Sequence, residues 1–177
     1  MNVQRYTVPA IVLHWAQAVI VIWLLWLGWT MVDLPKGAER SAAYSLHKSL
    51  GLLTLLMVVV RLAWRAGHPA PASAATGGEA RLARAVHHLL YAFLVMAPIA
   101  GYLASSFTPY ALKFFGVEIP KLGWPDEGWN GTFKLLHVAF VWGGAGLVAL
   151  HVLGALKHAV QRDGTLARML PGRLFKN

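Results

Sequence analysis

The 177 residues predict an all-α fold, an integral membrane four-helix bundle that forms one domain over residues 1–177. Three observations carry that prediction. The chain is 57% hydrophobic and 13% charged, with a mean hydropathy of +0.52, which is about half the charged fraction of an ordinary soluble domain. Four apolar runs are each long enough to cross a bilayer as a helix. Two histidines on the fourth run, His137 and His151, stand fourteen residues apart, a spacing that returns almost to the same helical face.

The first helix is predicted over about 9–32, PAIVLHWAQAVIVIWLLWLGWTMV, with Pro9 suited to a first turn. It is too long for the apolar core of a signal peptide and no small-residue cleavage site follows, so it is read as a permanent span. The second covers about 44–65, with His47 and Lys48 at its start and Arg61 and Arg65 near its end. The third covers about 82–107, with His87 and His88 in its first turns and Pro98 expected to kink it. The fourth, about 131–159, is built on LLHVAFVWGGAGLVALHVLGAL from Leu135 to Leu156, which holds no formally charged side chain beyond whatever its two histidines carry.

Between the second and third runs, HPAPASAATGGEAR has no apolar period and reads as a flexible surface loop. Between the third and fourth, residues 108–130 carry Tyr110, Phe114, Phe115, Trp124 and Trp129. That aromatic density predicts a lid on the membrane interface.

Cysteine is absent, which excludes disulfides, thiolate metal sites, cysteine-held iron–sulfur clusters and covalently attached c-type haem. Imidazole is left as the strong ligand class. The net charge of +9 is topological rather than a nucleic-acid signal. With the N terminus cytoplasmic, Arg5, Arg61, Arg65, Arg81, Arg84, Lys157, Arg162, Arg168, Arg173 and Lys176 lie inside, against Lys36, Arg40, Lys48, Lys113, Lys121 and Lys134 outside. The positive-inside rule therefore predicts both termini in the cytoplasm.

His137 and His151 share nearly one face of the fourth helix, about 21 Å apart along its axis. Gly143 to Gly146, GGAG, lies between them, where a planar group or another helix would meet bare backbone. Measured at 1.5 Å per residue from the cytoplasmic helix ends, His14 lies at about 7 Å, His151 at about 9 Å, His47 at about 27 Å and His137 at about 30 Å. Two pairs follow, an inner one of His14 with His151 and an outer one of His47 with His137. Any one of these histidines reads equally well as a helix-to-helix hydrogen bond. Two pairs at matched depths instead suit two six-coordinate haem irons inside a bundle, whereas zinc or copper would need three or four clustered ligands. Gly51, one turn after His47, and Gly28, fourteen residues after His14, agree with haem but equally with helix packing.

Arg61 reaches the depth of the inner pair, either as a partner for a haem propionate or as an interfacial arginine that snorkels. His87 and His158, near the cytoplasmic helix ends, are candidates to bond and protonate a quinone, or are wet interfacial histidines. Lys48, Lys113, Lys121 and Lys134 are either an anion-attracting field or solvated loop lysines. A histidine-lined metal transporter, from a different functional class, would require ligands clustered on one pathway.

LHW at 13–15, LHKSLG at 46–51, the VVRL run around Arg61, HHLLY followed by Pro98 and Gly101, LLH at 135–137, ALH ending at His151 and the closing TLARMLPG together resemble the bacterial cytochrome b561 family. The resemblance covers essentially the whole chain. It implies a four-helix diheme cytochrome b of the bacterial inner membrane, with axial ligands on His14, His47, His137 and His151. The family includes a superoxide oxidase, which takes electrons from superoxide at the periplasmic face and passes them through both haems to ubiquinone. Other members serve as membrane anchors for hydrogenases or formate dehydrogenases, which would make the donor a periplasmic redox protein. The length and the basic ending resemble the first group.

Overall fold

The computed structural model describes residues 5–71 and 76–170. Arg173, Lys176, Pro171, Gly172 and the middle of the 68–81 connector lie outside the described residues. Four helices follow in order, α1 Val8–Thr30, α2 Ala38–Gly67, α3 Gly77–Ser106 and α4 Glu127–Gln161. All four are long and apolar enough to cross a membrane, and the fold is an all-α four-helix bundle. Between α3 and α4 lies a hairpin, β1 Lys113–Phe114 with antiparallel β2 Val117–Glu118, and a 3-10 turn follows α4 at Leu166–Met169.

Helix termini differ from the hydropathy boundaries for local reasons. α2 starts at Ala38 rather than near 44 because AERSAA favours helix, with Glu39 in the first turn where an acid is stabilised by the helix dipole. α3 likewise starts at Gly77 rather than near 82, with Glu79 in its first turn. α4 starts at Glu127, not 131, because Asp126 caps it: the Asp126 side chain accepts from the Trp129 amide at 2.9 Å. It ends where Arg162 takes a left-handed conformation, φ 53°. α3 contains Pro98 within one continuous helix.

Most large apolar side chains point outward, among them Trp23, Trp26, Trp29, Leu153 and Val160, as expected of surfaces solvated by lipid. α3 packs along α4, and α2 stands between α1 and α3. The α3–α4 seam is set by Gly144, whose missing side chain is replaced by the Phe93 ring. Part of GGAG is therefore a helix-packing surface. Nothing lies within 4 Å of where a Cβ on Gly143 or Gly146 would stand.

One face of the bundle, the termini face, carries the start of α1 and the end of α4. The other is closed by the 107–126 segment, which is folded rather than loose. Phe107 stacks on Phe133 at 5.7 Å and on Trp129 at 6.1 Å, and contacts Trp124 edge-on at 5.9 Å. The Asp126 amide donates to the Phe107 carbonyl at 3.0 Å, Tyr102 Oη to the Pro120 carbonyl at 2.8 Å and Asn130 Nδ2 to the Ala104 carbonyl at 2.7 Å. Phe115 and Gly116 at the hairpin tip both have positive φ, 46° and 90°, as a two-residue type I′ turn requires. Alternation over so short a stretch carries no strand signal, and the aromatic lid predicted here is a hairpin-bearing cap.

Candidate cofactor-binding site

Each predicted histidine pair is assembled. His14 of α1 faces His151 of α4 with ring centroids 6.1 Å apart and planes at 72°, and His47 of α2 faces His137 of α4 at 6.1 Å and 86°. α4 supplies one member of each pair. The two rings it carries are separated along its axis by about 21 Å, so the pairs stand at opposite ends of the bundle.

The loop-face pair is held by backbone and by glycine. His137 Nδ1 lies 2.8 Å from the Ala97 carbonyl, so that nitrogen donates its proton and Nε2 keeps a lone pair. The approach requires Gly101, because a Cβ there would stand 3.0 Å from His137 Nδ1. Gly28 does the same for the other ring: its Cβ would stand 3.1 Å from His47 Cε1. Gly28 thus serves the His47 ring although its spacing put it on the face of His14. His47 Nδ1 is buried and has no partner among the described residues. Gly51, one turn after His47, is half-buried with nothing within 4 Å of a Cβ position. Two residues after His47, Ser49 Oγ accepts from the Phe115 amide at 2.9 Å and donates to the Ser45 carbonyl at 2.9 Å. The cap is thereby pinned to the helix that carries a site histidine.

The termini-face pair has polar company. Arg61 Nη2 lies 3.4 Å from His14 Nδ1, and Nη1 donates to Gln17 Oε1 at 2.6 Å. The Tyr91 ring lies under the guanidinium at 5.5 Å. Arg61 thus reaches the inner pair as its spacing predicted. His87 also comes close, with its centroid 5.3 Å from that of His151, a proximity that depth estimates for the four paired histidines did not reveal. His158 is elsewhere, between two carboxylates: Nδ1 lies 2.5 Å from Asp163 Oδ2 and Nε2 3.7 Å from Glu79 Oε1. Lys157 completes the cluster at 2.6 Å from Glu79. His87 and His158 therefore do not share one set of contacts.

Gln17, Gly101 and Ser49 are the contributors that spacing did not single out. An amide side chain three residues from His14, inside an otherwise apolar run, was the available signal for Gln17. Of the outer lysines, Lys121 donates to the Thr108 carbonyl at 2.7 Å, while Lys113 and Lys134 are exposed. No three His, Asp or Glu side chains among the described residues come together as a metal cage.

The sequence pattern of the family described as prokaryotic cytochrome b561 matches residues 5–172. "Cytochrome b561 homolog 2" of Escherichia coli (strain K12) is 35% identical over 173 residues, covering 94% of this chain and 92% of the relative. "Cytochrome b561 homolog 1" of the same organism is 25% identical over 180 residues, covering 96% and 98%. Four apolar spanning helices, paired imidazoles and a match over nearly the whole length agree: the chain belongs to the prokaryotic cytochrome b561 family, membrane b-type cytochromes that bind haem b and carry electrons.

Proposed function

We propose that the chain is a diheme cytochrome of the bacterial inner membrane, moving electrons from a periplasmic donor, superoxide, to ubiquinone, with both termini in the cytoplasm. The observation that carries it is the pair of imidazole pairs. A metal–imidazole bond is about 2 Å and the ring centre lies roughly 1 Å further back, so ligands on opposite sides of one ion hold their centroids about 6 Å apart. The 6.1 Å found at both pairs fits. So does the open space beside Gly51. His14 and His151 would hold the inner haem, and His47 and His137 the outer.

Haem held by these histidines would supply a centre for one-electron transfer. The protein's own groups do the rest. The bond from His137 Nδ1 to Ala97 directs Nε2 inward and fixes the ring plane, as the outer partner of a ligand histidine does. The 107–126 cap lies at the proposed donor face and is tied to α2, two residues from His47, through Ser49. Arg61 is placed to pair with a propionate. His87, beside His151 and near the helix end, is the better placed of the two histidines to bond and protonate a quinone, while His158 and its carboxylates form a protonic cluster at the same face.

A partner oxidoreductase such as a hydrogenase or dehydrogenase is the second reading for the donor. It is favoured by the exposed aromatic and apolar side chains of the cap, Tyr110, Phe115, Leu122 and Trp124, and by the commitment of Lys121 to the backbone. The metal-transporter reading lacks the clustered ligands it needs among the described residues.

Reduced-minus-oxidised absorption with haem content per chain, before and after anaerobic superoxide addition, tests the reading. Two b-type haems reduced by superoxide and reoxidised by ubiquinone are expected. Two haems that superoxide leaves oxidised would move the donor to a protein partner, and no haem would end the reading.

A further inference from the structure

We propose that Gln17 is a positioning residue, clamping the Arg61 guanidinium beside the inner histidine pair so that a permanent positive charge favours the reduced state of the haem held there. The proposal rests on the haem reading above. Gln17 is 1% exposed on α1, one turn from His14, and both ends of its amide are used. Oε1 accepts from Arg61 Nη1 at 2.6 Å, and Nε2 donates to the Thr54 carbonyl at 3.1 Å. Turning the amide over would set donor against donor at Arg61 and oxygen against oxygen at Thr54. The Thr54 carbonyl therefore fixes which atom Arg61 meets.

The second contact of Arg61 makes the clamp necessary. The 3.4 Å approach of Nη2 to His14 Nδ1 requires that nitrogen to accept, which puts the imidazole proton on Nε2. An iron held by Nε2 needs the opposite tautomer, with the proton on Nδ1. Two donors then face each other, and Arg61 is left to its acceptors on other side chains, the Gln17 oxygen at 2.6 Å and the Tyr91 hydroxyl. The Tyr91 face adds attraction to the cation from α3. No carboxylate of the described residues pairs with Arg61. Its charge is therefore not cancelled by the protein, and in a low-dielectric interior it acts on nearby groups more strongly than it would in water. A fixed cation stabilises an added electron. Pairing with a propionate keeps the sign, because it offsets the field of that carboxylate at the iron.

The test is a redox titration of the purified full-length holoprotein with both haems resolved. Gln17→Leu, which removes the acceptor, should lower the inner haem's midpoint by about 59 mV, a tenfold loss in its one-electron reduction equilibrium, and leave the outer unchanged. Arg61→Gln should give the same fall. The double variant should fall no further, because the two residues act as one unit. Gln17→Glu, which keeps the acceptor but cancels the charge, should also lower the inner midpoint. Unchanged midpoints, equal shifts at both haems, or additive falls in the double variant would overturn the proposal. Failure of both Gln17 variants to load the inner haem, with the outer retained, would overturn it in favour of a purely structural role. If the wild type holds fewer than two haems, or if His14→Ala retains both, the haem reading itself has failed.

Discussion

His137 Nδ1 and the carbonyl oxygen of Ala97 are 2.8 Å apart across the α3–α4 seam, a bond that exists only because Gly101, one turn further along α3, leaves the imidazole room. In the proposed haem reading, a ligand histidine needs a fixed tautomer and a fixed plane, and this contact would supply both to His137 from the main chain. Main-chain support cannot be removed by altering the acceptor's side chain, so the relationship is tested through its steric half.

Gly101→Ala should disturb the outer site and spare the inner. Alanine gains about 1 kcal/mol over glycine in a helix, but a Cβ at 3.0 Å from a ring nitrogen already bonded to the Ala97 carbonyl of the same helix forces strain of about 1–3 kcal/mol. The strain wins, and a displaced ring should shift the low-spin spectrum of one haem. Gly28→Ala, at 3.1 Å from His47, should act on the same haem. Spectra and midpoints equal to wild type in both variants would show that the rings are not set by these glycines.

Deleting a ligand separates the two pairs. His137→Ala should lower haem content from two per chain to one and leave a shifted spectrum for the remaining haem, while His14→Ala should remove the other. Pyridine-haemochrome quantitation with redox titration reads both. Retention of two haems in either variant would defeat the pairing.

The outer lysines divide by structure. If Lys113 and Lys134 steer superoxide, replacing both with glutamine should lower the second-order rate of haem reduction and flatten its salt dependence. Lys121, bonded to Thr108, should instead loosen the cap when replaced, seen as faster amide exchange over 107–126. An unchanged rate in the Lys113 and Lys134 variant would leave those side chains as solvated loop residues.

At the end of α4, Asp163 accepts from the Thr165 amide at 2.9 Å and from His158, and these bonds, the backbone one foremost, hold its carboxyl below the usual 3.8. A depressed folded value means that its contribution is complete above the ordinary carboxylate range and is lost as pH falls through the lowered one. The turn over 162–170 should therefore keep its protease resistance from neutral pH down to about pH 4 and lose it in stronger acid. Asp163→Asn should weaken it at pH 7, modestly because the pair is exposed. Equal cleavage of wild type and variant at pH 7 would remove the role.

Much of this site was readable before any coordinates. His14, His47, His137 and His151 were paired by depth alone, because helical rise is uniform and a bilayer holds every span to one frame. The same arithmetic carried Arg61 to the inner pair. It stopped at His87, whose distance from His151 depends on how α3 leans on α4 and not on rise. It also stopped at Gly28, which sits on the predicted face yet backs a histidine of another helix. Across residues 107–126 aromatic density marked a lid but not its hairpin, since a two-residue turn and a cluster around Phe107 leave no period to read.

Composition, period and spacing by themselves determined a membrane-spanning four-helix protein with two imidazole pairs at two depths, for these depend on local geometry that repeats along each helix. Only the tertiary structure decided which groups stand behind the paired histidines: the Ala97 carbonyl, the Gly101 and Gly28 abutments, and the Gln17 contact with Arg61. These are contacts between helices, and rotation of any one helix about its axis by a single residue, about 100°, would exchange all those it makes while leaving each depth almost unchanged.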